Sequence, residues 1–384
     1  MLDEFVVWAE VDLDAIAHNV AAVKRHIGEH ALLIAVVKAN AYGHGMEQVA
    51  RTALDNGASW LALNHISAAV RLRQAGIGAP ILIMGYVPVA SAATVAHHDL
   101  TLAVTSMALA EALSAQACQA GKVLPVHVKV DTGMGRFGLA PEKAVEFIHA
   151  LCRLPGLFFE GLYTHLASAD RADQRHNYQQ FSAYRQVLDA LENADIQVPV
   201  RHVANSAATL TMPDFHLDAV RVGIALYGLR PSREVEPIIP LHPALALKSR
   251  VGQVRAFPPG HCISYGQTFV TERPSQLALI PCGYGDGYLR LASNRGVVLV
   301  HGRRAPIRGR VCMDQMVVEV SGIEGVAPGD EVVLVGRQGD EEVSAEEVAG
   351  SAETINYEVV THLLPRVPRV FFRGGKIVSI VESQ

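Results

Sequence analysis

Lys38 closes the apolar run ALLIAVVK and is followed at once by Asn40, Tyr42, Gly43, His44 and Gly45. A lysine at the end of a buried strand usually snorkels its amine into water. The alternative is a reactive amine, set in a pocket whose rim is built from the small and polar residues after it. Further polar residues end strand-like runs downstream. VHVKVDTGMGRFG puts Lys129 late in a strand and Arg136 in the glycine-rich loop behind it. YTHLAS puts His165 at a tip, HVANSA puts Ser206 just beyond one, and AVRVGIALYG offers Arg221 followed by Gly223 and Ile224. A serine or glycine after a strand is commonly a turn residue. Following the last two strands of an alternating series, however, Ser206 and the amides of Gly223 and Ile224 suit a phosphate. A lysine plus a phosphate site suggests pyridoxal 5'-phosphate, held as a Schiff base on Lys38. A free lysine has a pKa of ~10.4, so imine chemistry near neutrality needs burial or positive neighbours. The apolar strand supplies the first, and Arg136 and Arg221 supply the second.

The elements that must position these residues are legible in the hydrophobic pattern. Strands are expected at 32–38, 59–63, 81–85, 101–105, 123–130, 157–165, 198–204 and 219–222. Amphipathic stretches lie between them, such as 14–27, where Ile16, Val20, Val23 and Ile27 fall on one face. Continuous apolar strands alternating with helices signify a parallel sheet covered on both faces, and about eight such units fit a (β/α)8 barrel. From about 240 the texture changes to short alternating runs with turn residues, including a hairpin expected around Gly302 and a helix opened by Ser344 and Glu347. The fold class is therefore α/β: an N-terminal TIM-like (β/α)8 barrel over 1–240 and a C-terminal mostly-β domain over 241–384, with the boundary near Pro231–Pro243.

Composition narrows the function classes. Half of the 384 residues are hydrophobic, 18% are charged and the net charge is -5 with the signs mixed, which fits a folded protein and offers no basic tract for nucleic acid. The apolar region 80–96 is interrupted by Gly85, Pro88, Ser91 and Thr94, so no membrane span is expected. The N-terminus is acidic where a signal peptide starts basic, and five cysteines form no C-x-x-C pair, which points to the cytoplasm. The histidines show no metal-ligand spacing, and no metal is expected.

AVVKANAYGHG resembles the pyridoxal-phosphate attachment motif of bacterial alanine racemases. The likeness continues through HVKVDTGMGRFG, YTHLAS, VRVGIALYG, SYGQTF, GYGDGY, GRVCMDQ and TINYE, in the family's order and over nearly the whole chain. The resemblance implies that Lys38 holds the cofactor and serves as base for the D enantiomer, while Tyr265, from the partner subunit of a head-to-tail homodimer, serves the L enantiomer. It implies that Tyr42, Ser206, Tyr357 and the Gly223 and Ile224 amides hold the phosphate. Arg221 would face the pyridine nitrogen with His165 behind it. Arg136 would lie near the substrate carboxylate, which the backbone N–H of the partner's Met313 would also bind. Lys129 occupies a position that some members carry as a carbamate, whose charge orients Arg136. Alanine is the implied substrate, and D-alanine for peptidoglycan the implied product.

Taken alone, Tyr265 reads as a half-buried strand tyrosine and Met313 as core filler. The chain departs from the family at NHISAAVRLRQAG, where acidic residues are common, and at Cys282 and Gly285, where alanine is usual at the latter. The competing readings are a serine or broad-specificity racemase, a decarboxylase of similar architecture, and a non-catalytic carrier of pyridoxal phosphate.

Overall fold

The computed structural model of the chain describes residues 2–382. Eight parallel strands close into a barrel in chain order: β2 (Leu32–Val36), β3 (Trp60–Leu63), β4 (Ile81–Ile83), β5 (Thr101–Val104), β6 (Leu124–Lys129), β7 (Leu157–Tyr163), β8 (Val200–His202) and β9 (Ala219–Val222). Pairing of β2 with β9, Leu32 opposite Ala219 through Ala35 opposite Val222, seals the ring. These strands lack a polar face because both of their faces are covered. Leu33, Ile34, Leu61, Ala62, Leu82 and Val128 are all inaccessible to solvent, and each full-sized apolar side chain so buried contributes about 1.5–3 kcal/mol.

Because all eight strands run the same way, their carboxyl ends share one mouth. Lys38 lies just past β2, Lys129 ends β6, His165 lies just past β7, Ser206 follows β8, and Arg221 sits within β9. The barrel unit comprises Ile16–Ala41 and Val49–His242.

The second unit takes in the residues up to Ala15, Tyr42–Gln48 and those from Pro243 onward. This division differs from a single cut at 240, because two early stretches of chain lie with the later half. Its main sheet places β1 (Val7–Asp12) centrally. One side of β1 pairs antiparallel with Leu245–Arg250 and the other pairs parallel with Arg369–Arg373. Trp8, Ala9 and Val11 of β1 are buried, and Val11 packs with Leu13 and Phe371. The hairpin Val297–Val300 with Arg303–Pro306 turns at Gly302, and Ser344 caps the helix Ala345–Ser351 by accepting the Glu347 N–H. Within this unit Gly43 and Gly45 have positive φ, and a Cβ on them would lie 2.0 Å from Val360 O and 2.4 Å from Phe371 Cζ.

Candidate functional site

Lys38 follows β2 directly into an unusual turn. Ala39, Asn40, Ala41 and Tyr42 all adopt left-handed backbone, with φ of 51°, 54°, 53° and 52°. Four such residues with side chains in a row are strained, at about 1–2 kcal/mol each, and strain of this kind concentrates where a site needs a fixed geometry. The Ala41 N–H still bonds back to Val37 O at 3.0 Å. Burial, and then the nearby Arg136 guanidinium, push the Lys38 amine below the usual lysine value. A lowered amine is the nucleophilic form that imine chemistry requires.

Arg136 is carried by a loop built on one carboxylate. Asp131 Oδ1 accepts the backbone N–H groups of Gly133 (3.0 Å), Met134 (2.8 Å) and Gly135 (3.1 Å), while Oδ2 accepts that of Arg136 (2.9 Å). These four donors hold the Asp131 carboxyl below the usual carboxylate range against the opposing effect of its burial. Asp131 N–H to Leu139 O and Leu139 N–H to Lys129 O, both 2.8 Å, close the loop at its base. Lys129 at that base is buried, with its ammonium 5.4 Å from the centre of the Phe137 ring. Burial, then Arg136 and Arg221, lower its pKa to about 8, with Asp131 opposing.

Arg221 is buried and charged, its pKa brought down by burial to about 10. Its Nη1 donates to His202 Nδ1 (2.8 Å) and His202 O (3.0 Å), and its Nη2 to Thr164 O (2.8 Å) and Val203 O (3.0 Å). Nη2 also lies 3.4 Å from His165 Nδ1. His165 is held well below the usual histidine value by burial and by four cations, Arg221, Arg136, Lys129 and Lys38. Its imidazole is therefore neutral at physiological pH. Gln180, on the helix Arg175–Asn193, holds the loop after β7 at two points: Oε1 accepts from Ala167 N (2.8 Å) and Nε2 donates to His165 O (3.1 Å). Ser206 Oγ accepts the Gly223 N–H at 2.9 Å, and Ile224 opens the 3-10 turn that follows. The structure thus assembles Lys38, Lys129, Arg136, His165, Ser206, Arg221, Gly223 and Ile224 in the barrel unit.

The remaining expected residues belong to the second unit. The rings of Tyr42 and Tyr357 lie 6.1 Å apart, and burial pushes the Tyr42 hydroxyl up, so it stays protonated. Tyr265 and Met313 sit on neighbouring loops. Ser264 Oγ donates to Arg310 O (2.7 Å) and lies 3.4 Å from Cys312 Sγ, and the Gly285 N–H bonds Met313 O at 2.7 Å. The unit leaves Tyr265 73% and Met313 54% exposed. Neither is the half-buried or core residue that its type alone suggests.

Residues 11–231 match the alanine racemase N-terminal domain family and residues 244–371 the alanine racemase C-terminal domain family. The chain belongs to the alanine racemase family. It is 47% identical to the alanine racemase of Desulfosudis oleivorans, covering 97% of this chain and 98% of that one. It is 44% identical to the alanine racemase of Methanococcus maripaludis, covering 95% and 98%. Among solved structures, alanine racemase from Bacillus anthracis with bound L-Ala-P superposes with a TM-score of 0.93 at 39% identity, over 98% of this chain and 97% of that one. Alanine racemase of Clostridium difficile 630 gives 0.95 at 36% identity, over 99% of each. The barrel with a mostly-β C-terminal domain is the architecture of these alanine racemase structures, and the family's members are isomerases.

Pyridoxal phosphate, as the alanine racemase reading requires, fits the residues present. Lys38 has a lowered amine, and the Ser206 hydroxyl, which accepts the Gly223 N–H, keeps its own O–H to donate to a phosphate. Every hydrogen bond that Arg221 makes among the described residues runs through Nη1 or Nη2, so Nε–H is left for a ring nitrogen. Sequence reasoning missed Asp131, Gln180 and His202, each of which hydrogen-bonds a residue it did identify. For Asp131 a signal existed: an Asp followed by Thr-Gly-Met-Gly is a turn initiator with free amides behind it.

Proposed function

We propose that this chain interconverts L- and D-alanine with pyridoxal 5'-phosphate held on Lys38, providing D-alanine for peptidoglycan in the cytoplasm. When bound, the cofactor supplies an electron sink that weakens the α C–H bond. Inverting the α-carbon requires proton removal on one face and return on the other, so two acid–base groups suffice. Lys38 Nζ serves the D face, and the phenol of Tyr265 from the partner of a head-to-tail homodimer serves the L face. The exposure of Tyr265 and Met313 supports a role at a neighbouring subunit. Arg221 only donates, so it offers a ring nitrogen a hydrogen bond but neither takes nor readily yields a proton. That restraint limits charge delocalisation and favours return of the proton to Cα. Neutral His165 keeps the space beside Arg221 from gaining another charge. Arg136, with the Met313 N–H of the partner, binds the substrate carboxylate. A carbamate on Lys129 would turn the repulsion between Lys129 and Arg136 into attraction, and an amine with a pKa of about 8 is suited to forming one. Tyr42, Tyr357, Ser206 and the amides of Gly223 and Ile224 bind the phosphate.

The observation that carries this reading is the cluster of Lys38, Lys129, Arg136 and Arg221 around a neutral His165, with the Lys38 amine lowered by burial and by Arg136. Rates on L-alanine and L-serine, with pyridoxal phosphate added, test it. Alanine is expected to racemise at least tenfold faster. Because one added hydroxyl is weakly rejected by shape alone, equal rates would replace this reading with a broad-specificity racemase.

A further inference from the structure

Arg221, His202, His127 and Glu160 form a single file of hydrogen bonds within the barrel. Arg221 Nη1 is 2.8 Å from His202 Nδ1, His202 Nε2 is 2.8 Å from His127 Nδ1, and His127 Nε2 is 3.1 Å from Glu160 Oε2. Both imidazoles are fully buried, while Glu160 is partly open to solvent. The two ends fix the direction of the file, because a guanidinium only donates and a carboxylate only accepts. His202 Nδ1 must accept from Arg221, so neutral His202 carries its proton on Nε2 and donates to His127 Nδ1. His127 in turn carries its proton on Nε2 and donates to Glu160. A second proton on His127 would sit on Nδ1, facing the Nε2–H of His202 across 2.8 Å. The His127–Glu160 contact is therefore a neutral imidazole donating to a carboxylate rather than an ion pair. Burial, the leading influence on both histidines, also keeps them below the usual histidine value.

The surroundings stop the rings from turning to another arrangement. Tyr163 stacks on His202 with ring centres 4.7 Å apart and planes 14° off parallel. A Cβ on Gly161 would lie 2.6 Å from His127 Cε1 and Nδ1, so glycine is what lets the imidazole occupy its place.

We infer that His127 and Glu160 are positioning residues for Arg221: the one-way file holds Nη1 engaged and fixes the guanidinium plane, reserving Nε–H for the ligand. The inference rests on the proposed reaction only for what Arg221 faces.

The test is 15N NMR of the histidine-labelled holoenzyme. One pair of imidazoles should share a nitrogen–nitrogen coupling across the N–H···N bond, with both rings protonated at Nε2 and neither titrating between about pH 6 and 9. An imidazolium, or an Nδ1–H ring in that pair, would overturn the assignment. Glu160→Ala strands a buried N–H and is expected to lower kcat for alanine about tenfold while leaving KM nearly unchanged. Glu160→Gln, which restores an acceptor, should rescue most of that loss and keep the coupling. An unchanged kcat in Glu160→Ala, or equal losses in both variants, would overturn the positioning role. Should Glu160→Ala fail to fold, the coupling and the Gln variant decide the matter. A chain that shows the coupling but racemises nothing would defeat the proposed reaction while supporting the hydrogen-bond assignment.

Discussion

Lys38 is partly buried and Lys129 buried, each near the Arg136 guanidinium, and the same physics acts on both. For Lys38 the lowered pKa is useful, since the neutral amine is the reactive form. For Lys129 it is a stability cost. With a folded value of about 8 and an unfolded value near ~10.4, the folded chain binds fewer protons between those limits. The penalty is fully present below pH ~8 and fades as pH climbs toward ~10.4, so the Lys129 contribution to stability rises with pH. Lys129→Met removes the charge and is expected to melt at a higher temperature than the parent at pH 7 in carbon dioxide-free buffer. The gap should close by about pH 10. Thermal melts across this range check it, and a gap independent of pH would show that burial of charge is not the cause. Added bicarbonate should raise the parent alone, because only the parent has an amine there to convert.

Two short elements do most of the positioning. In the Asp131–Leu139 loop one carboxylate gathers four amides, so removing it should release the backbone of Arg136. Asp131→Ala is expected to lower kcat/KM for alanine at least tenfold and to cost ~1–2 kcal/mol in urea denaturation. Asp131→Asn should fall between, since an amide oxygen can keep the Oδ1 contacts but its NH2 would confront the Arg136 N–H. Indistinguishable kinetics for all three proteins would remove Asp131 from the account. The left-handed turn from Ala39 to Tyr42 shows where reading the sequence stopped short. Each barrel strand was legible to within a few residues because continuous apolar runs leave little choice of element, and Lys38, Arg136, His165 and Arg221 were legible because they punctuate those runs. The left-handed turn was not, because positive φ falls on residues with side chains, whereas the pattern credits the glycines after them. His127 and His202 were passed over for a related reason. A single polar residue inside a buried strand leaves no periodic signal, and its partner comes from another strand.

At the scale of the whole molecule, the chain builds two units that do not follow a single cut in the sequence. β1 joins a sheet whose other strands come from the far end of the chain, a long-range pairing that local pattern cannot announce. The proposed homodimer makes a further prediction at this scale. Mixing Lys38→Ala and Tyr265→Ala chains, with subunit exchange, should recover up to about a quarter of parental activity, because half of the dimers would hold one intact shared site. No recovery would place Lys38 and Tyr265 of one chain in the same site. The claim that Lys38 and Tyr265 act on opposite faces is tested most directly by deuterium incorporation at Cα in heavy water, with pyridoxal phosphate present. The parent should exchange the α-proton of both L- and D-alanine. Tyr265→Ala should lose exchange from L-alanine while retaining the absorbance of cofactor attached at Lys38. Undiminished exchange from L-alanine in that variant would contradict the two-base account.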